Sequence, residues 1–299
     1  MADKTERDAV TGQPTTGHVW NGIKELNTPL PRWWVWVFIA TVVWSIGYWV
    51  VMPAWPLISS YTTGIYNYSS RADVNADVEA ALAAQGEMLA AINDTPLSEI
   101  GNDPALEAFA FASGRSSFAL HCSQCHGLGG EGAYGIPSLT DDAWIWGGDL
   151  ESIYQTIRFG VRDEHPETRF NFMPAYLGEF GLLSEDEARA TAAFVLTLSS
   201  GGADFASPGG EVYVRECAMC HGDAGEGLTF MGGPALNDAI WLYGGAEEEI
   251  YAQIANPTHG MMPAWEDRLS PETLKKLAIY VHSLGVAVKR GSAVILIYY

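Results

Sequence analysis

Hydrophobic and polar positions divide the chain into three regimes. Up to residue 32 polar positions prevail without a sustained period and with scattered Gly and Pro, so this stretch reads as a mobile tail. From Trp33 to Met52 twenty consecutive residues carry no charge. A helix of that length crosses the roughly 30 Å hydrocarbon layer of a bilayer. Pro29 and Pro31 precede it and Pro53 and Pro56 follow it, placing helix breakers at both ends and none inside. Trp33, Trp34 and Trp36 near one end, with Trp49 and Trp55 near the other, suit interfacial anchoring. This is a transmembrane helix, and with its flank the anchor runs from 33 to 56. Residues 57–70, rich in Ser, Thr, Tyr and Gly, read as a linker near the membrane surface. Beyond them the pattern turns helical in separate runs, at 77–92, Pro104–His121, Glu185–Leu198 and 271–284, with turn material at 93–102.

Charge orients the span. Lys24 and Arg32 lie just before it, and no Lys or Arg occurs between Met52 and Arg71. The excess of positive charge on the cytoplasmic side puts the N-terminus in the cytoplasm and everything after the span outside, in a bacterium the periplasm. A cleaved signal peptide fits less well: the preceding polar stretch is long and acidic, the apolar run exceeds a signal core, and no small-x-small cleavage site follows. The formal net charge of −20 repels phosphates and argues against nucleic acid as a partner. Residues 1–32 hold four acidic and four basic residues, so the whole deficit lies beyond them. That acidity serves either as a docking field for a basic soluble electron carrier or only as a solubilising surface.

All four cysteines lie in two copies of one pattern, Cys122-Ser123-Gln124-Cys125-His126 and Cys217-Ala218-Met219-Cys220-His221. In Cys-x-x-Cys-His the two thiols add across the vinyl groups of one haem, and the adjoining imidazole turns onto its iron. Two copies imply two covalently bound haem c groups. A zinc ribbon would want its cysteine pairs closer together, a thioredoxin-like pair would follow a strand, and plain disulfides would not need a His at the same offset twice.

The surroundings of the motifs repeat as well. Gly114 and Phe118 correspond to Gly209 and Tyr213, Pro137-Ser138-Leu139 to Pro234-Ala235-Leu236, and Trp146-Gly147-Gly148 to Tyr243-Gly244-Gly245. Met173-Pro174-Ala175-Tyr176 corresponds to Met262-Pro263-Ala264-Trp265, and each repeat closes on a helix introduced by Leu-Ser. Met173 and Met262 are the candidate sixth ligands of the two irons, ahead of Met261, Met231 and Met219, which do not match between repeats or sit inside a motif. A thioether favours ferrous iron and gives a higher potential than a second imidazole would. Trp144, Trp146, Trp241 and Tyr243 are candidate packing partners of the haems, and His165, His259 and His282 read as surface or packing residues, with the His near Met261, His259, as an alternative ligand.

With these motifs in view, the chain resembles class I cytochrome c twice over. Its layout is similar to the membrane-anchored dihaem cytochrome c subunit, subunit III or P, of the cbb3-type cytochrome c oxidases. The resemblance also rests on Leu26-Asn27-Thr28-Pro29-Leu30-Pro31-Arg32-Trp33-Trp34, on Met52-Pro53-Ala54-Trp55-Pro56 and on Tyr280-Val281-His282-Ser283-Leu284. It implies an all-α fold: one N-terminal transmembrane helix, a linker and spacer helix at 57–103, and two tandem class I cytochrome c domains at 104–200 and 201–285. A C-terminal tail covers 286–299, and its apolar octapeptide at 292–299 departs from the family pattern. By the same resemblance Cys122, Cys125, His126, Cys217, Cys220 and His221 hold the haems, with Met173 and Met262 as distal ligands. Pro137 and Pro234 then offer their carbonyls to the proximal imidazoles. Whether each Met serves its own repeat's haem or the other's stays open in the sequence.

The implied role is electron transfer from a soluble or membrane-tethered cytochrome c donor towards the catalytic haem–copper subunit, beside a monohaem cytochrome c subunit of the same complex. The chain itself is not expected to reduce oxygen. Alternatives are the dihaem subunit of another membrane dehydrogenase and a dihaem peroxidase, which would need a displaceable ligand on one iron.

Overall fold

The computed structural model describes residues 6–177 and 181–289, which form two compact units divided between Ala83 and Ala84. The first unit begins with an antiparallel hairpin of β1 (Thr15–Trp20) and β2 (Ile23–Leu26). Its turn is Asn21-Gly22, with φ of 50° and 88°, the paired left-handed conformation of a two-residue hairpin loop. This hairpin lies in the stretch read as a mobile tail and is an addition to the expected all-α fold. Both strands are exposed almost throughout, so they carry no alternation of apolar and polar positions, and only the turn dipeptide marks them.

Helix α1 (Arg32–Val51) begins one residue before the uncharged stretch and ends one residue short of it. None of its residues is buried. A helix apolar on every side, with no side covered by protein, is suited to a lipid rather than an aqueous surrounding. The chain beyond it turns back, and Ile65 and Tyr66 donate their N–H groups to the carbonyls of Val50 and Val51, both at 3.1 Å. These bonds satisfy last-turn acceptors that would otherwise lack partners, so part of the expected linker is a helix cap. Helix α2 (Ser70–Asp94) is longer at both ends than the 77–92 expected for the spacer.

In the second unit the end of α2 meets a 3₁₀ turn, Leu97–Asn102, where only turn material was expected. Ile92, Leu97 and Ile100 are buried there with Leu106 and Ala110 of α3 (Pro104–His121). Asp103 caps α3 by accepting from the N–H groups of Ala105 and Leu106 at 2.9 and 3.3 Å, and Pro104 opens the helix. There follow α4 (Ser123–His126), α5 (Leu150–Phe159), α6 (Glu185–Leu198) and α7 (Pro208–Val212). A π turn, Tyr213–Cys217, leads into α8 (Ala218–His221), and α9 (Glu247–Ala255) and α10 (Pro271–Lys289) complete the unit. Helix α10 extends past the 284 expected, and the octapeptide at 292–299 lies outside the described residues.

The closing helices are exchanged. Helix α10, from the second repeat, packs on α3 and α5 of the first, while α6, from the first repeat, packs on α7 and α9 of the second. Where α3 meets α10, a Cβ at Gly114 would lie 2.2 Å from the Lys276 carbonyl oxygen, and where α6 meets α7 one at Gly209 would lie 2.1 Å from that of Ala190. One core joins Phe118, Ile153 and Ile157 to Leu274, Leu277 and Tyr280. The other joins Tyr213, Ile250 and Ile254 to Ala188, Phe194 and Val195. The cores thus interleave the sequence segments 104–200 and 201–285 instead of following them. The short connection at 199–207 is the physical reason: helices joined by few residues pack as antiparallel neighbours, which commits α6 to α7 and leaves α10 for α3.

Candidate haem sites

Each attachment motif is a single helical turn. The Cys122 carbonyl accepts the N–H groups of Cys125 and His126 at 3.1 and 3.0 Å, and cysteines three apart share one face of such a turn. A tight loop follows, closed by Gly132 N–H on the His126 carbonyl at 2.8 Å and by Gly227 N–H on that of His221 at 2.7 Å. These loops bring Pro137 and Pro234 to the imidazoles. Nδ1 of His126 lies 3.0 Å from the Pro137 oxygen, and Nδ1 of His221 lies 2.9 Å from that of Pro234. A carbonyl can only accept, so Nδ1 carries the proton and Nε2 keeps its lone pair for a metal. Burial holds both imidazoles below the ordinary histidine pKa, outweighing the opposing bond from the ring to the carbonyl.

The four cysteines form no disulfide. Burial pushes the Cys122 thiol up to about 11 and the Cys217 thiol up to about 12, so both are protonated and poorly nucleophilic in the folded chain. A thioether at the same place has no proton to lose, and its burial carries no ionisation cost.

The methionines sit in crossed positions. Met262 packs against the core that borders Cys122, Leu139 and Trp144, and Met173 against the core that holds Cys217 and borders Leu236 and Trp241. Backbone pairing seats each loop there. Val161 and Met262 exchange N–H···O bonds of 2.9 and 3.0 Å, and Trp265 N–H reaches the Arg158 carbonyl at 3.0 Å. In the other loop Tyr176 N–H reaches the Ile254 carbonyl at 3.2 Å. Each Met-Pro-Ala loop therefore rests on the C-terminal end of the other repeat's helix, α5 or α9. Met261 and Met219, by contrast, are 68% and 74% exposed.

Of the candidate aromatic packing partners, Trp144 and Trp241 lie against the cores. Trp146 and Tyr243 instead reach across between repeats, Trp146 onto Gly232 and Tyr243 onto Gly135. His165 stacks on Phe159 at 5.0 Å and lies 3.4 Å from the Glu266 carboxylate. His259, read from the sequence as surface or packing, accepts the Met173 N–H at Nε2 over 3.0 Å. Arg162 and Asn171 also hold these loops and carry no sequence signal, because their partners are distant in the chain.

Among the described residues no group of three or more His, Cys, Asp or Glu comes together to hold a bare metal ion. A single imidazole beside each cysteine pair, too few groups for a bare ion, suits a metal that brings ligands of its own, and free thiols at fixed spacing suit covalent attachment of the ring that carries it. The residues fit haem c.

Comparison with known proteins agrees along the chain. The family described as the N-terminal domain of cytochrome oxidase-cbb3, FixP, matches residues 12–59. Cytochrome c matches 111–199, and the cbb3-type cytochrome c oxidase subunit III matches 204–281. The cbb3-type cytochrome c oxidase subunit FixP of Bradyrhizobium diazoefficiens is 50% identical over 289 residues, covering 95% of this chain and 99% of that one. The chain belongs to the FixP/CcoP family of cbb3-type oxidase subunits. Its FixP relative in Rhizobium meliloti is 45% identical over 289 residues, covering 95% of this chain and 99% of the relative. The CcoP relative in Azospirillum brasilense is 43% identical over 294 residues, again covering 95% and 99%. FixP membership thus extends over hairpin, span and both motifs alike.

Proposed function

We propose that the chain is the electron-transfer subunit of a cbb3-type cytochrome c oxidase, carrying two haem c groups with exchanged methionine ligands. One haem is bonded to Cys122 and Cys125 and held by His126 and Met262. The other is bonded to Cys217 and Cys220 and held by His221 and Met173. The observation that carries this reading is the reciprocal seating of the two Met-Pro-Ala loops, each on the core that contains or borders the other repeat's motif cysteine. When bound, haem supplies a one-electron couple.

The protein's part is to hold it. The prolyl carbonyls fix the imidazoles, the crossed loops present thioethers, and the helix exchange makes the two sites one body. The chain contributes no oxygen-reducing centre of its own; it accepts electrons from a soluble or membrane-tethered cytochrome c. It passes them towards the catalytic haem–copper subunit, beside a monohaem cytochrome c subunit. The apolar α1 supports anchoring in the bacterial inner membrane, and the flanking Lys24 and Arg32 support a cytoplasmic N-terminus with both sites in the periplasm. The test is oxidase turnover with reduced cytochrome c in membranes that lack this chain. Turnover is expected to collapse and to return with the full chain, whereas undiminished turnover would refute the role.

A further inference from the structure

One arginine ties the two methionine loops together. Arg162 follows α5 with its backbone in the left-handed region, φ 54°, an unfavourable conformation for a long side chain that its surroundings must hold in place. Its backbone N–H donates to the Arg169 carbonyl at 2.9 Å. Its guanidinium donates from Nε to the Gly260 carbonyl at 2.6 Å and from Nη1 to the Asn171 carbonyl at 3.0 Å. Gly260 stands two residues before Met262, and Asn171 two residues before Met173. One side chain therefore grips both loops at the equivalent place.

Other bonds run the same way. His259, beside Gly260, accepts the Met173 N–H at 3.0 Å, and Asn171 Nδ2 donates to the Met231 carbonyl at 2.6 Å. Among the described residues Arg162 forms no ion pair. Its partners are carbonyls, so its positive charge is not cancelled locally, in a chain that is otherwise strongly acidic. A planar guanidinium holds two carbonyls on two separate nitrogens at a set separation, whereas an ammonium must gather its acceptors around one atom, so lysine does not reproduce this spacing.

We propose that Arg162 is a shared positioning residue for both methionine ligands, joining the two loops so that loosening one loosens the other and the two haems respond together. This rests on the reading of Met173 and Met262 as ligands. The bridge predicts a coupling between sites that neither loop alone would create, and the retained positive charge favours the reduced state at both irons.

The experiment uses the full, haem-loaded chain. It follows the near-infrared charge-transfer band of Met-ligated ferric haem, carbon monoxide uptake by the reduced protein, and the potential of each haem. Met173→Ala and Met262→Ala come first, and each is expected to abolish the band at one haem. Arg162→Ala is then expected to weaken the band at both haems, open both to carbon monoxide and lower both potentials. Arg162→Lys, which keeps the charge but loses the two-point grip, is expected to match it in band and carbon monoxide uptake and keeps the test alive if the alanine variant does not fold. Arg158→Ala, whose guanidinium holds Glu266 on one loop only, with Nε at 3.0 Å, is expected to affect the His126 haem alone. If the Met variants leave the band intact, the ligand reading fails and takes the proposal with it. If they abolish it while Arg162→Ala changes one haem or neither, or Arg162→Lys behaves as wild type, only the proposal fails.

Discussion

Gly114 shows how much one missing methyl decides. Its carbonyl neighbour on α10 leaves no room for a Cβ, which would fall 2.2 Å from the Lys276 oxygen and 3.0 Å from the Tyr280 Cβ. Gly114→Ala must push the helices apart, and overpacking of this kind costs roughly 1–3 kcal/mol. A lowered thermal midpoint is the expected result, together with a weakened Met band at the His126 haem. The glycine was visible in the sequence as half of the Gly114/Gly209 match, but what it touches was not. Lys275 is a case with no local signal at all. Its Nζ donates to the carbonyls of Ile92, Asn93 and Thr95 at 3.0, 2.8 and 2.8 Å, filling the acceptors at the end of α2, where a positive charge also meets the favourable pole of the helix. Lys275→Met strands the partly buried carbonyls of Ile92 and Thr95, at a cost of about 1–3 kcal/mol. A fall in the denaturant midpoint, with both haems still Met-ligated, is the expected reading.

Helix α6 depends on its first turn. Ser184 Oγ accepts the Glu187 N–H at 3.3 Å, while the Glu187 carboxylate accepts from the Ser184 N–H and hydroxyl, both at 2.9 Å, the reciprocal capping box. Arg215, in the π turn of the second repeat, also donates to that carboxylate at 3.2 Å, so the cap fastens the exchanged helix to its partner. These bonds, led by the Ser184 N–H and hydroxyl and followed by Arg215, lower the Glu187 pKa from its ordinary 4.5. A depressed carboxyl pKa adds stability that is present above the unfolded value and is lost as pH falls through the lower folded one. The thermal midpoint of the wild type should therefore exceed that of Glu187→Gln at neutral pH, and the gap should close below about pH 4.5. Equal gaps at both pH values would remove Glu187 from this account. Helices α3 and α6 are legible to the residue because Pro104 and the Leu183-Ser184 pair mark their starts. Helices α5 and α9 were not read as helices, since each is short and its two buried isoleucines, Ile153 with Ile157 and Ile250 with Ile254, make too brief a period to stand out. The hairpin escaped because its strands bury almost nothing.

Across the second unit, the exchanged helices make each core depend on both repeats, and with the ligation proposed above the two haem sites become interdependent. A chain ended at Ser270 lacks α10 but keeps both motifs and both Met loops. It is expected to lose Met ligation at the His126 haem and to retain it at the His221 haem, as read by carbon monoxide uptake in variants whose other motif carries Cys→Ala. Loss at His221 instead would show the helices packing within their own repeats. What the sequence determined by itself is the local frame: two Cys-x-x-Cys-His patterns, a methionine matched in each repeat, an uncharged helical stretch whose ends are marked by proline, and several helix starts. Such features depend on spacing along a few residues, and the side chains involved have little other use at that spacing. Only the tertiary structure decided which Met-Pro-Ala loop and which closing helix pack on which core. The two repeats are so alike that each apolar helix face and each Met-Pro-Ala loop suits either core, and no local pattern distinguishes them. The choice was made by the short connection between α6 and α7 and by bonds between residues far apart in the chain, such as Val161 with Met262 and Tyr176 with Ile254.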